Sequence, residues 1–160
     1  MTYEQLKLEN QVCFRLYTAS RLITQGYRPF LDKLGITYPQ YLVLMILWEK
    51  DNMLKTDIQE LLMLESNTVT PLLQRMEKEG LIIRTNGPAN NRQKLISLTK
   101  KGKELKEQAK DIPSCLLENM QNCGVDLEKI KNLIPGLDEI ICKFHKENMW
   151  FKYSVMNRKL

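Results

Sequence analysis

Between Ser66 and Lys78 the chain carries two kinds of side chain at helical spacing. Val69, Leu72, Leu73 and Met76 recur every three or four positions and make one apolar stripe. Ser66, Asn67, Thr68, Thr70, Gln74, Arg75 and Lys78 are left to point outward. Hydroxyls, carboxamides and a guanidinium of this reach suit base edges and phosphates, read from a helix lying in a major groove. Arg92 and Lys94, a few residues on, are placed to hold a phosphate or enter a minor groove. From Arg84 to Lys106 seven basic residues are opposed only by Glu104. Such an excess is an electrostatic footprint for a polyanion, and equally the ordinary state of a solvated face.

Thiols are the second chemistry. Cys13, Cys115, Cys123 and Cys142 match no zinc spacing, and the only histidine is His145. No metal and no cofactor is expected. A buried, unreactive thiol is the default for each cysteine. There is no Cys-x-x-Cys and no catalytic constellation, so a binding protein is expected and a thiol peroxidase is the enzymatic alternative. The chain opens Met1-Thr2-Tyr3-Glu4-Gln5, without a basic start leading into an apolar stretch, and has no apolar run of about 18 residues. A cytoplasmic protein with reduced thiols and no membrane span is the expectation.

The elements that must position these groups read as mainly α with one small β-hairpin. The length of 160 residues, with 43% hydrophobic and 27% charged side chains, fits a single globular domain over 1–160. Leu8, Val12, Leu16, Ala19, Ile23 and Tyr27 predict a first helix from about Tyr3 to Tyr27, with Pro29 and Gly35 around its exit. Thr37 as N-cap and Pro39 open a second helix ending near Lys50, apolar nearly all round and therefore central. A third helix is expected over about Thr56 to Leu62. A fourth starts after Glu65 or Ser66 and runs to about Glu79, with Gly80 as its stop. The β-prone runs 81–84 and 94–98 flank a loop of turn formers, Asn86 to Asn91, and make a wing. Thr99 caps a fifth helix that Ile112-Pro113 ends or kinks. Asp126 starts a last helix striped by Leu127, Ile130, Leu133, Ile134, Leu137, Ile140, Ile141 and Phe144, interrupted at Pro135-Gly136.

The segment from about Thr37 to Thr99 is thus a winged helix-turn-helix, and its simplest task is to hold duplex DNA. The helices outside it, about 3–30 and 100–150, carry apolar stripes wider than one small domain covers. A two-fold homodimer would bury them and set two reading helices about 34–36 Å apart, matching a near-palindromic site. Packing within one chain is the other way to cover the same stripes.

In this order of elements the chain resembles the MarR family of bacterial transcription regulators. Over its N-terminal half it resembles the branch that senses organic hydroperoxides, often called OhrR. The matching segments are Leu8-Glu9-Asn10-Gln11-Val12-Cys13-Phe14-Arg15-Leu16-Tyr17, Thr37-Tyr38-Pro39-Gln40-Tyr41-Leu42-Val43-Leu44 and Asn67-Thr68-Val69-Thr70-Pro71-Leu72-Leu73. Ser97-Leu98-Thr99, followed by Gly102, fits the family's wing exit. The resemblance covers about residues 5 to 110, and the last fifty positions match only in helical pattern.

The resemblance implies a MarR-like dimer acting as a DNA-bound repressor. In the branch, a cysteine early in the first helix senses peroxide, and two tyrosines of the partner subunit hydrogen-bond to it. Those roles fall on Cys13, Tyr27 and Tyr38. Some members have a second cysteine near the end of the fifth helix that resolves the oxidised sensor; Cys115 lies in about the right place, with Cys123 the weaker candidate. Phenol hydrogen bonds would favour the thiolate, the form that attacks peroxide. Phe14, Leu16 and Tyr17 would suit an organic hydroperoxide. One departure stands in the wing, where the family usually has Asp-x-Arg and this chain has Asn90-Asn91-Arg92. Asn90 can hydrogen-bond but brings no charge. The wider family also contains repressors released by a small aromatic ligand in the interhelical cleft, without thiol sensing, which is the alternative function.

Overall fold

A computed structural model describes residues 3–87 and 93–144. Its elements are α1 (Val12–Leu34), α2 (Tyr38–Glu49), β1 (Met53–Leu54), α3 (Lys55–Leu62), α4 (Ser66–Lys78), β2 (Ile82–Asn86), β3 (Lys94–Leu98), α5 (Lys100–Ala109), α6 (Ile112–Asn122) and α7 (Leu127–Lys131). Backbone over 134–144 is again helical. The chain divides into two compact units, Met1–Pro113 and Ser114–Leu160. Among the described residues no helix is long and apolar enough to cross a membrane.

α1 differs from expectation at both ends. It begins nine residues later than Tyr3, at Val12, after two short 3-10 turns at Glu4–Leu6 and Leu8–Asn10. Side chains explain the delay. The Asn10 amide donates to the Glu4 carbonyl at 2.8 Å, and the Gln11 amide donates to Gln5 and Lys7 carbonyls. Such local bonds compete with helix propagation. α1 then runs through Pro29 and stops at Gly35, whose φ of 67° is the left-handed conformation that glycine adopts without strain. The Ile36 N–H closes the end on the Leu31 carbonyl.

α2 is the central helix that its apolar run predicts, with Tyr41, Val43, Leu44 and Leu47 buried. Its first turn closes through the Gln40 side chain, whose oxygen accepts the Thr37 N–H at 2.8 Å. The Gln40 nitrogen donates to Glu79 at 2.6 Å, so the start of α2 is tied to the end of α4. At the other end of α2, Asp51 accepts from the Asn52 and Leu98 N–H groups and pairs with Lys103 at 3.2 Å. Burial opposes ionisation of Asp51, but those hydrogen bonds and the Lys103 ammonium outweigh it and hold its pKa below the ordinary value.

The sheet has three strands in the order β1-β3-β2, all antiparallel. β1, a two-residue strand pairing Met53 with Ile96, has no signal in a sequence pattern. α5 enters through Thr99, whose hydroxyl accepts the Gly102 N–H at 3.0 Å and donates to the Gly80 carbonyl. The core of this first unit joins Leu31, Val43, Leu44, Leu47, Ile58, Val69, Leu73, Met76, Leu81 and Ile96.

In the second unit α6 ends at Gly124 (φ 83°), and Asp126 caps α7 by accepting the Glu128 N–H at 3.0 Å. The break expected at Pro135-Gly136 falls earlier, at 132–133. Pro135 lies in the first turn of the next helical run, where its missing N–H has no intrahelical partner to lose.

Gly102 sets a close approach. A Cβ there would lie 2.2 Å from the Leu81 carbonyl oxygen and 3.1 Å from a Leu98 methyl. Helix propensity alone would favour alanine by up to about 1 kcal/mol, whereas overpacking costs about 1–3 kcal/mol. The expected outcome is that Gly102→Ala lowers the urea-unfolding free energy; a midpoint at or above wild type would show that the neighbouring strand yields.

Candidate functional site

α3 and α4 are joined by a tight corner. Met63 closes α3 in the left-handed conformation (φ 53°), its N–H bonded to the Glu60 carbonyl and the Leu64 N–H to that of Gln59. This is a Schellman closure with a methionine in the place glycine usually fills. α4 then packs Val69, Leu72, Leu73 and Met76 inward, all 4% exposed or less. The opposite face presents Asn67, Thr68, Gln74, Arg75 and Lys78 to solvent. Thirteen residues make it about 20 Å long, enough to follow a major groove across several base pairs.

Two polar residues of that face are already engaged. The Lys55 ammonium, from the start of α3, donates to the Ser66 hydroxyl and to the Thr70 hydroxyl, each at 2.8 Å. Thr70 in turn donates to the Ser66 carbonyl at 2.7 Å. No sequence pattern singles out Lys55, because its position beside the first turn of α4 is a tertiary fact. Arg75 has no ion-pair partner among the described residues; Glu79, four positions on, instead accepts from the Gln40 amide through Oε2. Arg92, together with Asn90 and Asn91, lies outside the described residues.

The wing is the β2–β3 hairpin. Lys94 donates to Asn86, its cross-strand partner, at 2.7 Å. Arg84 reaches Glu77 of α4 with Nε at 2.8 Å and Nη2 at 2.6 Å, fastening the wing to the reading helix. The hydrogen bond and charge of Arg84 hold the Glu77 carboxyl below its usual pKa. The basic run is thus partly spent inside the fold. Lys101 donates to the Glu79 carbonyl, Lys103 pairs with Asp51, and Lys106 donates to the Trp48 carbonyl.

Cys13 is exposed in the first turn of α1. Tyr27 and Tyr38 are half-buried, with ring centroids 5.0 Å apart and planes tilted by 45°; the Tyr27 ring also lies 5.9 Å from that of Tyr41. Cys13 and Tyr27 share one helix, fourteen residues apart, and a rise of 1.5 Å per residue separates them by about 21 Å along the axis. Within one chain the thiol cannot meet that phenol. Burial, and then the neighbouring Tyr38, raise the pKa of Tyr27, and burial does the same for Tyr41. Tyr27 therefore remains a protonated donor at neutral pH. Between Cys13 and the phenols α1 leaves Phe14, Leu16, Tyr17, Leu22 and Ile23 exposed in the single chain. Of the expected stripe, Val12, Leu16 and Ile23 lie on one side of α1 and are exposed in the single chain, whereas Phe14 and Leu22 lie off that side and Leu8 falls before the helix. In the second unit, Cys115 is half-buried on α6, while Cys123 and Cys142 are exposed. Leu133, Ile134, Ile140, Ile141 and Phe144 are exposed there.

Alongside Tyr41, between α2 and α5, lies a mostly apolar groove of about 310 Å³ lined by Met45, Trp48, Lys106, Ala109 and Pro113. The Trp48 indole N–H is held by the Gly102 carbonyl at 2.8 Å, which fixes the groove wall.

Comparison with known proteins adds three findings. A family model described as MarR matches residues 36–94. The organic hydroperoxide resistance transcriptional regulator of Bacillus subtilis is 46% identical over 146 residues, 91% of this chain and 97% of that protein. AbfR, known from Staphylococcus epidermidis, is similar in two solved states. The structure described as reduced AbfR bound to DNA matches with TM-score 0.74 and 36% identity, covering 90% of this chain and 99% of that one. The structure described as disulfide-formed AbfR matches with TM-score 0.62 and 37% identity, covering 86% and 94%.

The raised pKa of Tyr27 has a measurable sign. The folded state holds the phenol proton more tightly than the unfolded chain, so the contribution is fully present below about pH 10 and is lost as pH rises through the folded value. In an alkaline ultraviolet titration two phenolate transitions, those of Tyr27 and Tyr41, are expected above the free-tyrosine range, and Tyr27→Phe should remove one of them. A wild-type titration with every tyrosine at the free value would contradict the burial of Tyr27.

Proposed function

The chain belongs to the MarR family of transcription regulators, and on that premise we propose that it is a repressor released from its operator when organic hydroperoxide oxidises Cys13. The observation that carries this reading is the spacing along α1. Along α1 the Cys13 thiol and Tyr27, whose ring lies 5.0 Å from that of Tyr38 on α2, stand about 21 Å apart, and Leu16 and Ile23 between them are exposed. Two α1 helices packed antiparallel about a two-fold axis near Ser20 would cover that face. They would also bring Cys13 of each subunit to Tyr27 and Tyr38 of the other. Ala19 and Ser20, small and exposed, would permit a close crossing. The exposed apolar side chains of the second unit suit the same homodimer. The whole chain, 1–160, would then act as one dimer-forming domain in the cytoplasm.

The chemistry follows from the neighbours. The Cys13 thiolate attacks the outer oxygen of the hydroperoxide, the O–O bond breaks, and the alkoxide leaves as the alcohol after taking a proton. The resulting sulfenic acid condenses with a second thiol, releasing water. Cys115 is the proposed second thiol, with Cys123 next. DNA is held by Asn67, Thr68, Gln74 and Arg75 in the major groove, with Ser66 and Thr70 at the helix start. Lys94 and Arg92 act from the wing, toward a near-palindromic duplex. The similarity to a DNA-bound AbfR and to a disulfide form of the same protein supports both halves of this reading. A second reading, release by a small aromatic ligand, is favoured by the apolar groove beside Tyr41, whose volume of about 310 Å³ suits one ring system.

Cumene hydroperoxide separates the two. Oxidised wild-type protein is expected to lose about 5- to 150-fold in affinity for its operator, the usual range for coupled sites. Cys13→Ser should keep its affinity under the same treatment. A non-reducing gel should show a covalent dimer that disappears in Cys115→Ser. Equal release of wild type and Cys13→Ser would exclude the thiol switch and favour the groove.

A further inference from the structure

Among the described residues, the half-buried Lys55 is the one basic side chain whose bonds go to hydroxyls of the reading helix. Its ammonium has three hydrogens, of which one goes to Ser66 and one to Thr70. No carboxylate lies within ion-pair distance of it among the described residues, whereas Arg84 and Lys103 in the same unit each hold one. A half-buried cation without a counter-charge is costly unless an anion arrives.

The hydrogens decide what kind of anion. Thr70 gives its only hydroxyl hydrogen to the Ser66 carbonyl and accepts from Lys55, so it has no hydrogen left to donate. Ser66 accepts from Lys55, and its own hydrogen has no acceptor among the described residues. The cluster therefore offers two free donor hydrogens on adjacent atoms, one on Lys55 and one on Ser66, around one positive charge. A phosphate oxygen, which only accepts, matches that arrangement. A lysine ammonium is also a compact point charge, suited to phosphate more than to the planar edge of a base.

We propose that Lys55 and Ser66 together bind a DNA backbone phosphate, that this contact sets the register of α4 in the groove, and that Thr70 is withdrawn as a hydrogen-bond donor to bases. The proposal rests on the DNA-binding function above. It moves Ser66 from the base-reading set to the phosphate-binding set and narrows sequence readout to side chains further along α4. It also gives Lys55 two tasks, the tie between α3 and α4 and the capture of the anion.

The test uses the full chain, a duplex enriched from a randomised pool by wild-type protein, and a scrambled duplex of equal length. Affinity is measured by anisotropy against salt concentration. Each phosphate neutralised contributes about 0.9 to the slope of log affinity against log salt. Lys55→Met is therefore expected to lower the slope by about one for each chain bound. It should weaken binding to both duplexes by the same factor. Lys55→Arg should restore the slope, and Ser66→Ala should weaken binding with the slope unchanged. Circular dichroism melting of Lys55→Met reports the tie between the helices separately. A wild-type slope in Lys55→Met, or a loss confined to the enriched duplex, would overturn the proposal. Wild-type protein that enriches no duplex would overturn the DNA-binding function instead.

Discussion

The buried carboxamide of Gln40 is the contact on which the geometry of the first unit turns. It is 4% exposed, its oxygen taken by the Thr37 N–H and its nitrogen by Glu79. An unpaired group there would cost about 1–3 kcal/mol, so both bonds are firmly specified. Together they lock the first turn of α2 to the last turn of α4. Tyr38 sits in that turn of α2, its ring against that of Tyr27. The phenol pair and the reading helix are therefore parts of one body.

The other ties repeat this logic with charges. Asp51 gathers the end of α2, the end of β3 and α5 around one carboxylate. Glu77 and Arg84 join α4 to the wing. Summing charge along the chain overstates what is left for a polyanion, because several lysines of the basic run bond inward. Arg75 and Lys78, by contrast, stay on the open face of α4.

How far this architecture is legible in the sequence depends on the range of the forces involved. The stripe from Val69 to Met76 and the all-round apolar run of α2 are local periodicities, and both lie where their spacing puts them. Thr99 acts through a bond three residues away, so the cap of α5 is also readable, whereas α1 runs past Pro29 to Leu34, seven residues beyond the end its stripe predicts. The late start of α1 is not, because it hangs on particular bonds from Asn10 and Gln11 that no periodicity records. The two-residue β1 and the Lys55 bridge depend on which elements meet in space, eleven or more positions apart in the chain. Cys13 is the extreme case. Nothing in the spacing of one chain separates it from an idle thiol, and the geometry of a single chain keeps it far from Tyr27.

The Met63 corner has a consequence of its own. A non-glycine residue in the left-handed region carries strain of about 1–2 kcal/mol, yet a methionine there has fewer backbone states open to it than glycine. With Lys55 clasping the far side, α3 and α4 have little freedom to swing against each other. They travel as one rigid jaw. In the proposed dimer, fit to a helical ladder would be governed by the gap between two such jaws, and letting go would require no unfolding of either reading helix.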